Sequence, residues 1–183
     1  LQRGSATLVV SPKEVSGRHL LLTASHVVVA SQAERHARPP IREEFPPNTT
    51  IEVHLKGEWY QCRINSYSVK ADLAFLEVDY PGDLPACQIS AERVAVGNPA
   101  IACGFVLGLD QHSFASKITE TDFFPTCDVL TCPSHAIVFG MSGGAVFNAD
   151  GKLCGVISSI TPNEPWVCQY SQVDEVNRFY KTY

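Results

Sequence analysis

Apolar residues in this chain come in short runs, four to seven long, rich in Val, Ile, Leu, Phe and Tyr and closed by Gly, Pro, Asn or Asp. Runs of that length are too short for helices and match the span of a strand, so the pattern predicts many strands and few helices. They fall at Ala6–Val10, Leu20–Thr23, Ile51–Leu55, Tyr60–Tyr67, Leu73–Val78, Ala100–Gly104, Phe114–Thr119, Gly144–Asn148, Leu153–Ser158 and Val167–Tyr170. Numerous short strands between turn residues give an all-β barrel or sandwich. At 183 residues the chain is one domain by length, yet long enough for two small barrels packed together. Tyr80–Glu92, with two prolines and a glycine, is the best linker, which sets the expected halves at 1–84 and 85–183. Ser31–Thr50 carries Pro39, Pro40, Pro46 and Pro47 among charges and reads as a long surface loop, either a solvated insertion or a cover for a cleft or a regulatory partner. In the tail, Val173, Val176, Phe179 and Tyr180 recur at helical spacing behind a candidate Ser171 cap, predicting a short terminal helix.

Fourteen basic against nineteen acidic residues leave a net charge of −5 with no Lys/Arg cluster, so the electrostatic footprint for nucleic acid or an anionic membrane is missing. The most apolar stretches, Leu20–Ala30 and Val94–Leu107, are broken by His26, Asn98 and Pro99 and cannot span a bilayer as helices; no signal peptide is expected. Seven cysteines are an odd number without a small disulfide framework, and they read as free thiols in a reducing, intracellular and most simply cytoplasmic setting. Cys127, Cys132 and His135 suggest a metal corner, but the spacing is not C-x-x-C and no second pair exists; neither metal nor cofactor is expected.

The stretch Phe139–Phe147, FGMSGGAVF, sets Ser142 between glycines and ahead of an apolar run. Glycines let the backbone turn sharply and its N–H groups converge on one spot, which would expose and aim a serine hydroxyl; an ordinary glycine turn looks the same. A nucleophilic serine needs a base, and the base an orienting carboxylate. His26 interrupts the apolar run from Leu20 to Val29, and Asp72 heads the run Leu73–Leu76. Each also has a plain structural reading, a satisfied core histidine and a turn aspartate.

Taken together the three segments resemble the motifs of the chymotrypsin-like serine proteases, in the same chain order. Thr23-Ala24-Ser25-His26 is similar to T-A-x-H, Asp72-Leu73-Ala74-Phe75-Leu76 to D-[IL]-A-[LF]-L, and Gly140-Met141-Ser142-Gly143-Gly144 to G-x-S-G-G. The HtrA-type branch is resembled further at Gly4-Ser5-Ala6, at His26-Val27-Val28, and from Ser142 to Gly155 with a turn at Asn148–Gly151; the peptide-binding PDZ module that HtrA proteins usually carry is not seen in this sequence. The resemblance implies two six-stranded-type antiparallel β-barrels with the active site in the cleft between them and a short C-terminal helix. It implies a serine endopeptidase acting on peptide or protein substrates, with His26, Asp72 and Ser142 as catalytic triad and the backbone N–H groups of Gly140 and Ser142 as oxyanion hole.

Departures from the family pattern are informative. Trypsin-type zymogens pair a new amino terminus with an Asp just before the nucleophile; here that residue is Met141, so activation by N-terminal insertion is not expected. Val27 stands where secreted relatives carry a cysteine. By alignment the substrate pocket is lined by Ala136, Ile137, Ser158, Ile160 and Cys168. It has no Asp at its base, and Val156 and Ile157 stand where relatives that read Gln or Glu place a His. The expected residue before the cut is therefore small or medium and apolar. Two other readings stand beside this one: a viral polyprotein-processing protease of the same fold, and a catalytically silent module that binds extended peptide by strand addition. The remaining histidines (19, 36, 54, 112, 135) read as surface or structural residues, and Trp59 and Trp166 as packing residues, with a place at the edge of the pocket as the other reading of Trp166.

Overall fold

The computed structural model describes residues 3–13, 16–28, 50–106, 109–124, 126–131, 140–161 and 167–183, with backbone alone at 123, 124, 160, 161 and 167. The first half forms one curled antiparallel sheet of five strands, β1 (Thr7–Val9), β2 (Arg18–Thr23), β3 (Ile51–Leu55), β4 (Glu58–Ser68) and β5 (Leu73–Asp79), in the order β1-β2-β5-β4-β3. The second half closes into a six-stranded barrel, ordered β10-β11-β8-β7-β6-β9, from β6 (Pro99–Val106), β7 (Asp110–Phe124), β8 (Cys127–Thr131), β9 (Ala145–Asn148), β10 (Leu153–Thr161) and β11 (Val167–Gln172). This is the expected all-β fold. Two short helices complete it, α1 (Ser25–Val28) after β2 and α2 (Val173–Tyr180) after β11.

Strands β2 and β5 sit at the centre of the first sheet and are buried on both faces, which is why they read as unbroken apolar runs rather than alternating ones. Leu21, Ala74, Leu76 and Val78 fill the hollow of the curled sheet with Val28 and, at its margin, Ile51, Val53, Tyr60 and Ile64. Leu20, Leu22, Leu73 and Phe75 face the other way, onto Ala145, Leu153 and Val156 of the barrel and Val176 of α2. The barrel interior is filled by Ala102, Phe114, Ile118, Leu130, Met141, Val146, Ile157 and Tyr170.

The segment joining the halves is itself pinned to both. Cys87 forms a parallel bridge with Val9 of β1, and Ile89 one with Leu153 of β10. After β11 the chain returns to the first sheet, where Phe179 stacks on Phe75 at a 4.7 Å ring separation and Tyr180 and Tyr183 close around the same ring.

Several local expectations need correction. The Ser171 hydroxyl does not cap the terminal helix; it donates to the Ala71 carbonyl at 2.6 Å, and Gln172 stands at the N-cap with no side-chain bond to the helix, its amide donating to Asp122 and Cys127 instead. Strand β8 was not expected, because its Asp128 looks like a turn residue; it is buried and held by Arg93 at 2.8 Å. Trp59 packs its ring 5.0 Å from that of His54 and stands 61% exposed on the β3–β4 hairpin. Residues 31–49 of the proline-rich loop lie outside the described residues.

Phe75 is fully buried and joins the first sheet, the barrel and the tail. Phe75→Ala is expected to cost about 4 kcal/mol of stability, and Phe179→Ala clearly less because its ring is only partly buried. Urea unfolding of the two variants checks both values.

Candidate active site

The site grows from the ends of two central strands. Strand β2 delivers Ala24, fully buried, and then the single turn of α1; Val28 is buried and Val27 packs against the same apolar clusters, while His26 keeps 15% of its side chain exposed. The histidine interrupts the apolar run because its ring turns toward Asp72 rather than into the apolar clusters. Before β5 the chain turns at Val69–Asp72, and Asp72 itself adopts a φ of 52°. This left-handed conformation is one that aspartate tolerates better than most residues.

The Asp72 carboxylate is answered on both oxygens. Its Oδ1 accepts from the Ser25 hydroxyl at 2.9 Å and the His26 backbone N–H at 3.0 Å. Its Oδ2 faces His26 Nδ1 at 2.8 Å and accepts from the Ser158 hydroxyl at 2.5 Å. Burial pushes this carboxyl up, but the His26 ring, the Ser158 hydroxyl and the His26 amide together outweigh it and hold the group below its ordinary range. An ionised carboxylate can only accept, so the Nδ1 of a neutral His26 carries the proton and its Nε2 is left as the basic nitrogen.

Ser142 arrives from the other half, on the turn between Gly140 and β9. Gly140 has a φ of 104° and Gly143 of 85°. A β-carbon on Gly143 would lie 2.1 Å from the Ser5 carbonyl oxygen, so only glycine fits there. The Gly143 N–H donates to Ile157 at 2.7 Å and the Gly144 N–H to Met141 at 2.9 Å. Among the described residues no backbone acceptor meets the N–H of Gly140 or Ser142. The Ser142 hydroxyl lies 3.4 Å from the Ser158 carbonyl oxygen. Ser158 therefore touches Asp72 through its hydroxyl and Ser142 through its carbonyl, and one connected path runs from His26 through Asp72 and Ser158 to Ser142.

A profile of the trypsin-like peptidase domain matches residues 4–156. The chain belongs to the trypsin-like peptidase family. It is similar to the serine protease Do-like HtrA of Lactococcus lactis subsp. cremoris (strain MG1363), 30% identical over 135 residues that cover 64% of this chain and 32% of that one. It is also similar to serine protease HTRA1B of Danio rerio, 25% identical over 158 residues covering 78% and 28%. The chain thus spans about a third of the length of these curated relatives. In fold it resembles a serine endoprotease from Yersinia pestis (TM-score 0.72, 20% identity, covering 98% of this chain and 56% of that one). It also resembles the HtrA-type protease AlgW, solved with a decapeptide (TM-score 0.69, 21% identity, covering 98% and 50%).

Within this trypsin-like peptidase domain, Met141 is fully buried in the barrel core where zymogen relatives carry an aspartate. Of the residues expected to line a substrate pocket, Ser158 lies beside Asp72 and Ser142, and Cys168 is fully buried, paired with Ile160 across β10–β11. Ala136, Ile137, Trp166 and the side chain of Ile160 lie outside the described residues, as do Cys132 and His135 of the suspected metal corner. Among the described residues no three His, Cys, Asp or Glu side chains gather to hold a metal. Two hydroxyls at the site lie in segments that carry the resemblance but have no role assigned from the sequence: Ser25, the variable position of T-A-x-H, and Ser5 of Gly4-Ser5-Ala6. Nothing local marks them, since their partners lie 47 and 135 residues away.

The folded Asp72 carboxyl binds its proton less readily than an unfolded one, whose pKa is about 3.9. Its contribution to stability is therefore present above that value and lost as pH falls through the lower folded value. Asp72→Asn is expected to be less stable than the parent near pH 7, with the gap narrowing as pH falls below about 3.9. Urea unfolding of both proteins across that range measures it.

Proposed function

We propose that this domain is a serine endopeptidase in which Ser142 is the nucleophile, His26 the general base and acid, and Asp72 the group that orients and stabilises the imidazolium. The observation that carries the reading is the 2.8 Å contact of His26 Nδ1 with a carboxylate already held by three other donors. In the reaction, His26 Nε2 takes the Ser142 proton as Oγ attacks the scissile carbonyl, and the carbonyl oxygen gains a negative charge. The Gly140 and Ser142 N–H groups receive that oxyanion, each such donor stabilising the transition state by roughly 3 to 4 kcal/mol. The proton then passes to the leaving amine, an acyl-enzyme remains on Ser142, and water activated by the same histidine releases it.

The substrate is a peptide or protein, cut after a small or medium apolar residue. Val156 and Ile157, both 1% exposed, stand where a histidine would read Gln or Glu, and an apolar pocket accepts a charged group only at a desolvation cost. A reducing compartment suits the cysteines: all six described ones are free, and burial pushes Cys62 and Cys87 up to about 11 and Cys154 to about 12, which makes these thiols unreactive.

A fluorophosphonate probe is expected to label the domain, and to fail on Ser142→Ala and on His26→Ala. Asp72→Asn is expected to keep the fold at neutral pH and lose kcat by about 10⁴, since an asparagine amide no longer favours the productive tautomer. Labelling that survives Ser142→Ala would end the assignment. Separately, cleavage of a peptide library should be dominated by Ala, Val, Leu, Ile or similar residues before the cut; a profile led by Arg, Lys, Gln or Glu would overturn the pocket reading.

A further inference from the structure

We propose that Ser5 is the positioning residue that locks the nucleophile turn, doing with neutral hydrogen bonds what a cleaved amino terminus does in trypsin-type zymogens. The inference rests on the reading of Ser142 as nucleophile. Ser5 precedes β1, is only 4% exposed, and reaches three separate parts of the molecule. Its backbone N–H donates to the Ser142 carbonyl at 2.7 Å, and its hydroxyl donates to the Gly140 carbonyl at 2.8 Å. That hydroxyl also accepts from the Phe105 N–H, at the end of β6, at 2.7 Å. The Ser5 carbonyl accepts from the Thr23 hydroxyl at 2.6 Å, three residues before His26.

These bonds restrict the turn in a specific way. A peptide unit is planar and trans, so pinning its carbonyl pins the N–H on its opposite side. Ser5 pins the carbonyls of Gly140 and Ser142, and the Gly144 N–H pins that of Met141 at 2.9 Å. Three successive peptide planes are thereby set, and the Ser142 N–H is turned away from the Gly144 side. Rotating the Ser5 hydroxyl would leave both the Phe105 N–H and the Gly140 carbonyl without this partner, at a cost for groups that are partly buried. Gly143 leaves its missing β-carbon to the Ser5 carbonyl and the Thr23 hydroxyl, 2.1 and 2.2 Å from where it would be. The turn therefore rests directly on this residue and on the segment that leads to His26.

The residue before the nucleophile shows why such a device is needed. Met141 is buried and uncharged, so it offers no carboxylate for an incoming ammonium group. The turn must be held by something already inside the folded chain, and Ser5 is what contacts it on both sides of Met141. The hold needs no proteolytic event.

The test compares Ser5→Ala with the parent on a peptide p-nitroanilide carrying the residue preferred by the library, with rates normalised to sites titrated by the fluorophosphonate. The expected result is a fall in kcat of about 10- to 100-fold with KM within about twofold, the size of effect that misplacing a reacting group produces. Affinity for the matching peptide aldehyde, whose hemiacetal places an oxyanion on the turn, should fall in parallel, while affinity for the cleaved product peptide should not change. Should Ser5→Ala not fold, Ser5→Thr, which keeps the hydroxyl, is expected to stay near the parent and Ser5→Cys, which keeps the volume but donates weakly, to fall about tenfold in kcat. Parent-like kcat and aldehyde affinity in Ser5→Ala, or equal rates in the Thr and Cys variants, overturns the role of Ser5 while leaving the protease reading intact. A parent protein that is neither labelled nor active overturns both.

Discussion

A carboxylate withdrawn from water between two sheets is costly unless its oxygens are met by donors, and Asp72 is met four times. Three of the donors belong to Ser25 and His26 at the end of β2, and the fourth to Ser158 on β10 of the barrel. The first half alone supplies three donors, and the fourth arrives only when both halves are folded and docked. The carboxylate that faces the histidine therefore also carries a bond that ties one half to the other.

Docking in turn depends on strands that have no solvent face. Leu20, Leu22, Leu73 and Phe75 meet Ala145, Leu153 and Val156 across the interface, so the strands bearing His26 and Asp72 at their ends are clamped by apolar packing from the barrel. Burial on that scale contributes on the order of 1.5 to 3 kcal/mol per large side chain, far more than the exposed ion pairs such as Arg63 with Asp79. Precision at the site is inherited from this packing, and the short polar bonds refine it.

Much of this was legible in the residue pattern. The double-faced burial of β5 is written in the unbroken Leu73–Leu76, and the spacing of Val173, Val176, Phe179 and Tyr180 gave the helix that packs back on Phe75. What stayed hidden depended on distant partners. Asp128 reads as a turn residue until Arg93 is seen beside it, and most of β7 is polar because that strand presents much of its length to solvent. Ser158 was expected beside a substrate and touches the carboxylate as well. Ser5 and Ser25 carry no local signal, for a hydroxyl becomes informative only when the fold supplies the group it answers.

The linker between the halves has a mechanical consequence. Cys87 exchanges backbone bonds with Leu8 and Val10, and the next few residues bond to Leu153, so the connecting strip is stitched to one wall of the cleft and then to the other within about four residues. Sliding the sheet and the barrel past one another along this strip would break those backbone bonds, each of which is costly to leave unmade.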